Sequence, residues 1–198
     1  MDEPKKVKRG RPSTLDADGV LETAIEAYRK SDPADVSINA ICTLAKVSKP
    51  SLYREFSNED GLMAAVLDRY AEQVLSEIFG ILATDVPVLQ VFDALTRFAS
   101  DDPRMETGCV FYKMRAGKHR LGLKTRARVR AIDTGAVEAF EAYLETRRAI
   151  GDWTNNVPIP TAARYLVEQI GLALTQRAAG ENPAQVRDTL KLALAAIG

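Results

Sequence analysis

The side chains that could support catalysis or bind a metal are few in this 198-residue chain. It has one histidine, His119, and two cysteines, Cys42 and Cys109. The sequence lacks a metal-ligand spacing, a glycine-rich phosphate loop and a nucleophile elbow. A catalytic pair of Cys109 with His119 would require the fold to bring the two together. The sequence therefore predicts a protein that is not an enzyme and that has no metal site and no cofactor.

Hydroxyl and basic side chains are concentrated between Ser37 and Phe56. The formal net charge is zero, so any nucleic-acid surface must come from local clustering of charge. Between Lys46 and Arg54 there are three basic residues and no acidic one. Ser37 and Ser48 can each cap a short helix, which predicts two short helices joined by a tight turn. The second helix is expected to present polar side chains outward: Lys49, Ser51, Tyr53 and Arg54.

The same stretch resembles the DNA-binding signature of the TetR family of transcriptional regulators. It reads SINAICTLAKVSKPSLYREFSNEDGLMAAVL, and the resemblance covers about residues 15–67. The positions in register are Ser37, Ile41, Ala45, Val47, Ser48, Leu52, Tyr53, Phe56 and Leu62. Lys46 replaces the glycine that is usual in the turn, so a left-handed lysine is expected there. Pro50 replaces a small residue and fits the first turn of a helix, where its missing N–H costs little.

The resemblance implies two sets of DNA contacts. Phosphates should be contacted by Ser37, Ser48, Lys49 and Tyr53. Base edges in the major groove should lie near Pro50, Ser51 and Arg54. A purely structural role is the alternative for Tyr53, and Leu52 is assigned to the core.

A basic segment precedes this domain. Lys5, Lys6, Lys8, Arg9 and Arg11 lie within seven residues, and Arg9-Gly10-Arg11-Pro12 resembles the core of an AT-hook. Arginine favours a narrow A·T-rich minor groove because the negative potential is strongest there. Arg9 and Arg11 are therefore predicted to contact DNA, with a solubilising tail as the alternative.

Apolar residues at helical spacing recur along the chain, which predicts an all-α fold. We expect a flexible basic arm at 1–13, a three-helix DNA-binding domain with a helix-turn-helix at 14–66, and a helical ligand-binding and dimerisation domain at 67–198. The first helix should begin near Leu15, capped by Ser13 or Thr14. A long helix from about Glu59 to Leu82 should join the two domains.

The last two predicted helices carry apolar stripes that suit a four-helix bundle formed by two subunits. The family would place its dimer interface there. The interface residues are predicted to be Leu166, Ile170, Leu174, Val186, Leu190 and Leu194. The alternative is that these side chains form only the core of one subunit.

The resemblance also implies a pocket for a small-molecule inducer in the second domain. Its predicted lining is Phe92, Cys109, Tyr112, Arg115, Phe140 and Tyr143. Each of these types more often belongs to a plain core. The segment from Lys113 to Arg130 has eight basic residues and no acidic one. It is expected either to line the entrance for an anionic ligand or to form a solvated helix face.

These observations predict a DNA-binding transcriptional regulator, with repression as the family's commoner mode. It should bind double-stranded operator DNA as a homodimer and be released by an unknown small molecule. A cytoplasmic location is expected, since the chain has no signal peptide, no membrane-spanning segment and no need of a disulfide. The alternative is a helical interaction or adaptor protein without sequence-specific DNA binding.

Overall fold

The computed structural model of the chain describes residues 15–198, and within them it contains α-helices and no β-strand. The all-α prediction is confirmed. The helices are α1 Ala17–Lys30, α2 Ile38–Leu44, α3 Lys49–Phe56, α4 Glu59–Tyr70, α5 Ser76–Leu82, α6 Val88–Asp101, α7 Val110–Ala116, α8 Leu123–Ala149, α9 Ile159–Ala178 and α10 Pro183–Ala195. Short 3₁₀ turns at Pro33–Asp35, Pro103–Met105 and Lys118–Arg120 connect some of them. Among these elements no helix is both long and apolar enough to cross a membrane.

Helix α1 begins two residues later than predicted. Asp16 is its N-cap, and the Asp16 carboxylate accepts a hydrogen bond of 3.0 Å from the backbone N–H of Gly19. The predicted caps, Ser13 and Thr14, lie outside the described residues, as does the predicted arm at 1–13. Val20, Ala24 and Tyr28 then bury one face of α1 against α4.

The joining helix predicted from Glu59 to Leu82 is present but is not a uniform α-helix. A π-helical segment, Ala71–Leu75, separates α4 from α5. Such segments are rare and frequently lie at functional sites. Here the segment lies where the chain leaves the first three helices and enters the second half of the molecule.

The second half is built from helices packed against one another. Helix α8 packs along α9 and also against α4, while α10 packs against both α6 and α9. Trp153, in the loop between α8 and α9, is buried, and its indole N–H donates to the carbonyl of Ile197. This bond ties the end of the chain to the loop.

The six residues predicted to form a dimer interface are core residues of a single chain. The side chains concerned are all at most 3% exposed: Leu166, Ile170, Leu174, Val186, Leu190 and Leu194. They are buried within one chain, where Ile170 and Leu174 also line interior cavities, so they are not available to a second subunit. The residue assignment is corrected accordingly, and the alternative interpretation of a subunit core describes these positions. On the same two helices Leu172 and Leu192 are exposed.

Candidate nucleic-acid interface and ligand cleft

Helices α2 and α3 form a helix-turn-helix at the predicted place. The Ser37 hydroxyl accepts a hydrogen bond of 3.2 Å from the N–H of Ala40, which caps α2 as expected. Lys46 lies in the turn with φ of 56°, the left-handed conformation predicted for it. Ile41 and Leu52 are fully buried and hold the two helices together.

Ser48 caps α3 through the N–H of Ser51, at 3.2 Å. The Ser48 and Ser51 hydroxyls also lie 2.8 Å apart and share a hydrogen bond. Pro50 occupies the first turn of α3, where it deprives the helix of no internal bond. The sequence departures at Lys46 and Pro50 are therefore compatible with the motif.

The predicted DNA-contacting side chains lie at or near the surface of the helix-turn-helix. Those that are exposed are Ser37, Ser48, Lys49, Pro50 and Arg54. Ser51 and Tyr53 are half-buried, and the Lys49 ammonium lies 5.5 Å from the centre of the Tyr53 ring. A cation over an aromatic face is attracted by it, so Tyr53 stabilises the position of Lys49. Arg9 and Arg11 lie outside the described residues.

A carboxylate at the start of α4 links this domain to α8. The Asp60 carboxylate accepts hydrogen bonds of 2.9 Å from the N–H groups of Lys124 and Thr125, and one of 2.6 Å from the Thr125 hydroxyl. Gly122, the N-cap residue of α8, has no side chain to perform this role, so α8 is capped by a residue of α4. Burial opposes ionisation of Asp60, but the bonds from Thr125 and Lys124 prevail and lower its pKa.

A cleft of about 600 Å³ opens between the α1–α2 connection, α7 and α9. It combines an apolar wall with basic side chains at the rim. Its lining consists of Asp32, Gly108, Cys109, Tyr112, Lys113, Ala116, Gly117, His119, Arg120, Leu174, Thr175 and Ala178. We call the space lined by these residues the cleft.

Two basic side chains of the cleft connect α7 and the turn after it to α1 and to the α1–α2 connection. The Lys113 ammonium donates to the carbonyl of Arg29 and, at 3.5 Å, to that of Tyr28, at the C-terminal end of α1. Arg120 forms ion pairs with Asp32, at 3.4 Å, and with Asp35. Burial lowers the pKa of Lys113, because desolvation disfavours its charged form.

Cys109 and His119 line the same cleft, as a catalytic pair would require. Burial raises the pKa of the Cys109 thiol, however, and so disfavours the thiolate that would be the nucleophile. Both cysteines are free thiols. The arrangement does not favour cysteine chemistry.

Three of the six predicted pocket residues share one interior cavity, and three lie elsewhere. Cys109, Tyr112 and Phe140 line a narrow apolar cavity of about 30 Å³ behind the cleft. Phe92 faces α10, and Arg115 pairs with Glu168 and Asp133. Tyr143 lies beside Arg147, where burial raises its pKa to about 12.

Asp32 and the individual basic residues of the cleft were not predicted as site residues from the sequence. Lys113 and Arg120 belong to the basic segment noted above, so a local signal existed. Their partners are 84 and 85 residues away along the chain, as shown by Arg29 and Asp35. The hydrophobic periodicity of a sequence does not reveal contacts between residues so far apart along the chain.

Comparison with known proteins assigns the first domain to a family. Residues 20–66 match the family model described as bacterial regulatory proteins, tetR family. The chain is 35% identical over 68 residues to the HTH-type transcriptional repressor ComR of Escherichia coli, a match that covers 34% of this chain and 32% of the relative. It is 29% identical over 99 residues to an uncharacterised HTH-type transcriptional regulator of Mycobacterium tuberculosis, covering 48% of this chain and 49% of that one. The matches thus span about a third to a half of the curated relatives.

Residues 20–66 are thus a DNA-binding domain of the TetR type. The whole fold of the chain is also that of solved TetR-type proteins. The reduced form of NemR from E. coli superposes with a TM-score of 0.79 at 17% identity, covering 91% of this chain and 96% of that one. The regulator CifR, solved as a cysteine mutant with a 26-bp operator DNA, gives 0.79 at 18% identity over 96% of this chain and 100% of that one. In this fold α3 is the second helix of the helix-turn-helix, and α4 leads from it to the second half of the molecule.

Proposed function

We propose that this chain is a cytoplasmic transcriptional repressor of the TetR family that binds operator DNA as a homodimer and is released by a small molecule. The observation that carries the proposal is the surface of α3. Lys49, Tyr53 and Arg54 lie on a helix that is capped by Ser48 and held by the buried Leu52. A short helix of this kind enters the major groove and uses its N-terminal residues on base edges.

The proposed roles follow the two sets of contacts expected from the family. The exposed hydroxyls of Ser37 and Ser48, with Lys49 and Tyr53, would contact phosphates and fix the register of the protein on the duplex. Pro50, Ser51 and Arg54 would lie over base edges. The Ser48 and Ser51 hydroxyls now share a hydrogen bond. To contact DNA, they would have to break this bond and form hydrogen bonds to DNA groups in its place. Arg9 and Arg11 stay predictions from the sequence.

Relatives support repression and operator binding. ComR is named a transcriptional repressor, and CifR was solved on operator DNA. The division at about residue 67, and the role of the second half in ligand binding and dimerisation, are part of the proposal. Dimerisation through α9 and α10 would use their exposed residues, among them Leu172 and Leu192, in place of the buried leucines.

Operator binding can be tested by electrophoretic mobility shift with the DNA upstream of the gene, at several salt concentrations. Lys49→Ala removes one phosphate contact from each subunit of the dimer, so it should weaken binding at least about tenfold and lower the slope of log affinity against log salt by about two. Tyr53→Ala should weaken binding as well, since it removes a phosphate contact and the support of Lys49. Lys118→Ala, an exposed lysine on the turn after α7, is the matched control and should bind as the unchanged protein does.

Two results would contradict this docking. Normal affinity in both Lys49→Ala and Tyr53→Ala would show that α3 does not face the duplex as proposed. Binding without salt dependence, or no binding to any fragment of the upstream DNA, would favour the adaptor interpretation instead.

A further inference from the structure

The cleft lies at the junction of the two halves of the molecule and has two chemically different sides. Leu174, Ala178 and the Tyr112 ring form an apolar wall. Lys113 and Arg120 place positive charge at the rim, beside Asp32. A site of this composition suits a ligand that has an apolar part and an anionic group.

Several features of the wall are fixed by packing. The Tyr112 hydroxyl donates to the carbonyl of Val167, at 2.8 Å, and the Tyr112 ring lies directly over Gly171. A Cβ at Gly171 would lie 2.8 Å from ring carbon Cδ1, which is closer than packed atoms approach. The wall is therefore preformed, as the walls of small-molecule sites usually are.

The two basic groups are held by weak or shared partners. Lys113 donates to backbone carbonyls of Tyr28 and Arg29, and these carry no full charge. Arg120 is exposed and pairs with Asp32 and Asp35, which are also exposed. Exposed ion pairs contribute little free energy, so a ligand anion can replace them at small cost. A charge-assisted bond from the half-buried Lys113 ammonium to an anion is stronger than its bonds to carbonyls.

We propose that this cleft is the inducer site and that it binds a carboxylate with an apolar body, the carboxylate between Lys113 and Arg120 and the body against Leu174, Ala178 and Tyr112. The inference rests on the proposed function, because it names the ligand class for the proposed release from DNA. The volume of about 600 Å³ falls within the range of small-molecule sites. The cavity of about 30 Å³ behind the wall leaves no room for a large group, so the whole apolar body lies in the cleft.

The same contacts supply the coupling to DNA. Without ligand, Lys113 holds the C-terminal end of α1, and Arg120 holds the turn at Pro33–Asp35. A carboxylate in the cleft withdraws both cations from these partners. Helix α1 and the turn before α2 then lose these polar contacts with α7 and keep only their packing against it, so the two halves can change orientation. Operator DNA and ligand consequently oppose each other, and each lowers the affinity for the other by the same factor.

The test uses decanoate and its neutral amide, decanamide, as probes that share an apolar body and differ in charge. Isothermal titration of the full chain without DNA should show binding of decanoate and at least about tenfold weaker binding of decanamide. Lys113→Gln and Arg120→Gln should each weaken decanoate binding about tenfold and leave decanamide unchanged. The control is Arg130→Gln, which removes an exposed arginine of the same basic segment that lies outside the cleft. Far-UV circular dichroism verifies that each variant is folded.

Three results would overturn the proposal: no binding of decanoate, equal binding of decanamide, or equal losses in Arg130→Gln and Lys113→Gln. Because these titrations contain no DNA, they stand even if operator binding fails. In a mobility shift, decanoate should release the unchanged protein from DNA but not Lys113→Gln. If decanoate binds in the cleft and the DNA complex persists, the site stands and its role as inducer site is wrong.

Discussion

At the scale of single residues, the turn of the helix-turn-helix contains a strained lysine. The Cβ of an L-residue in the left-handed region costs about 1–2 kcal/mol, and Lys46 with φ of 56° bears that cost. Glycine avoids the strain, but it makes the unfolded chain more flexible. This flexibility offsets about 0.4–1 kcal/mol of the stabilisation that comes from relief of the strain. We therefore expect Lys46→Gly to raise the free energy of unfolding by up to about 1.6 kcal/mol, measured by urea denaturation.

The matched variant is Lys46→Ala, which removes the charge and keeps the Cβ. It should unfold like the unchanged protein. If alanine and glycine give the same change, the gain comes from the loss of the lysine side chain, and the strain argument is wrong. Ser57, with φ of 70°, is a second such position, and its conformation was not foreseen because the motif carries no glycine there.

At the scale of elements, the start of α8 depends on a carboxylate from α4. Removing the charge in Asp60→Asn should lower the free energy of unfolding at neutral pH by about 1 kcal/mol, since a helix cap and a charge at the positive helix end are both weakened. The pKa of Asp60 is lower in the folded chain than in the unfolded one. Its stabilisation is therefore complete above the unfolded pKa and disappears as the pH falls through the folded pKa.

The measurement is urea denaturation of both proteins at about pH 7 and about pH 3. The difference in free energy between them should shrink at the acidic pH. Asp188→Asn, which changes an exposed carboxylate on α10, should show no such difference at either pH. A gap of the same size at both pH values would mean that Asp60 acts through its shape rather than through its charge.

The elements also show what the sequence could predict. The boundaries of α2 and α3 depend on local signals, and the caps Ser37 and Ser48 lie where they were expected. The π-helical segment Ala71–Leu75 was not predicted, because an apolar stripe continues through it and periodicity over 59–82 stays helical. The start of α8 depends on Asp60, 64 residues from Lys124, and a long-range cap leaves no pattern in the helix it caps.

At the scale of the whole molecule, the apolar stripes of α9 and α10 were predicted correctly but assigned to the wrong surface. A stripe shows that a helix face is buried, and it does not show whether the partner is α6 of the same chain or a second subunit. Leu190 is 3% exposed and belongs to the first case, whereas Leu192, two residues on, is 77% exposed. The cleft likewise contains residues that the sequence pointed to and residues that it did not. Cys109 and Tyr112, for which a pocket role stays a prediction, line the cleft, whereas Asp32 reaches it from the α1–α2 connection and was not predicted.

The exposed leucines then make the dimer testable. If α9 and α10 pair between two subunits, Leu172 and Leu192 become buried there, and each lies in the interface twice because a twofold interface uses the same patch on both subunits. Leu192→Asp would place a charge against apolar surface and should raise the dissociation constant of the dimer at least about thirtyfold, as measured by sedimentation equilibrium. Leu172→Asp should act in the same direction. Leu123→Asp, at the start of α8 with 74% of its leucine exposed, is the control and should leave the dimer intact. Dissociation in Leu123→Asp with none in Leu192→Asp would contradict an interface on the last two helices and place it at the start of α8.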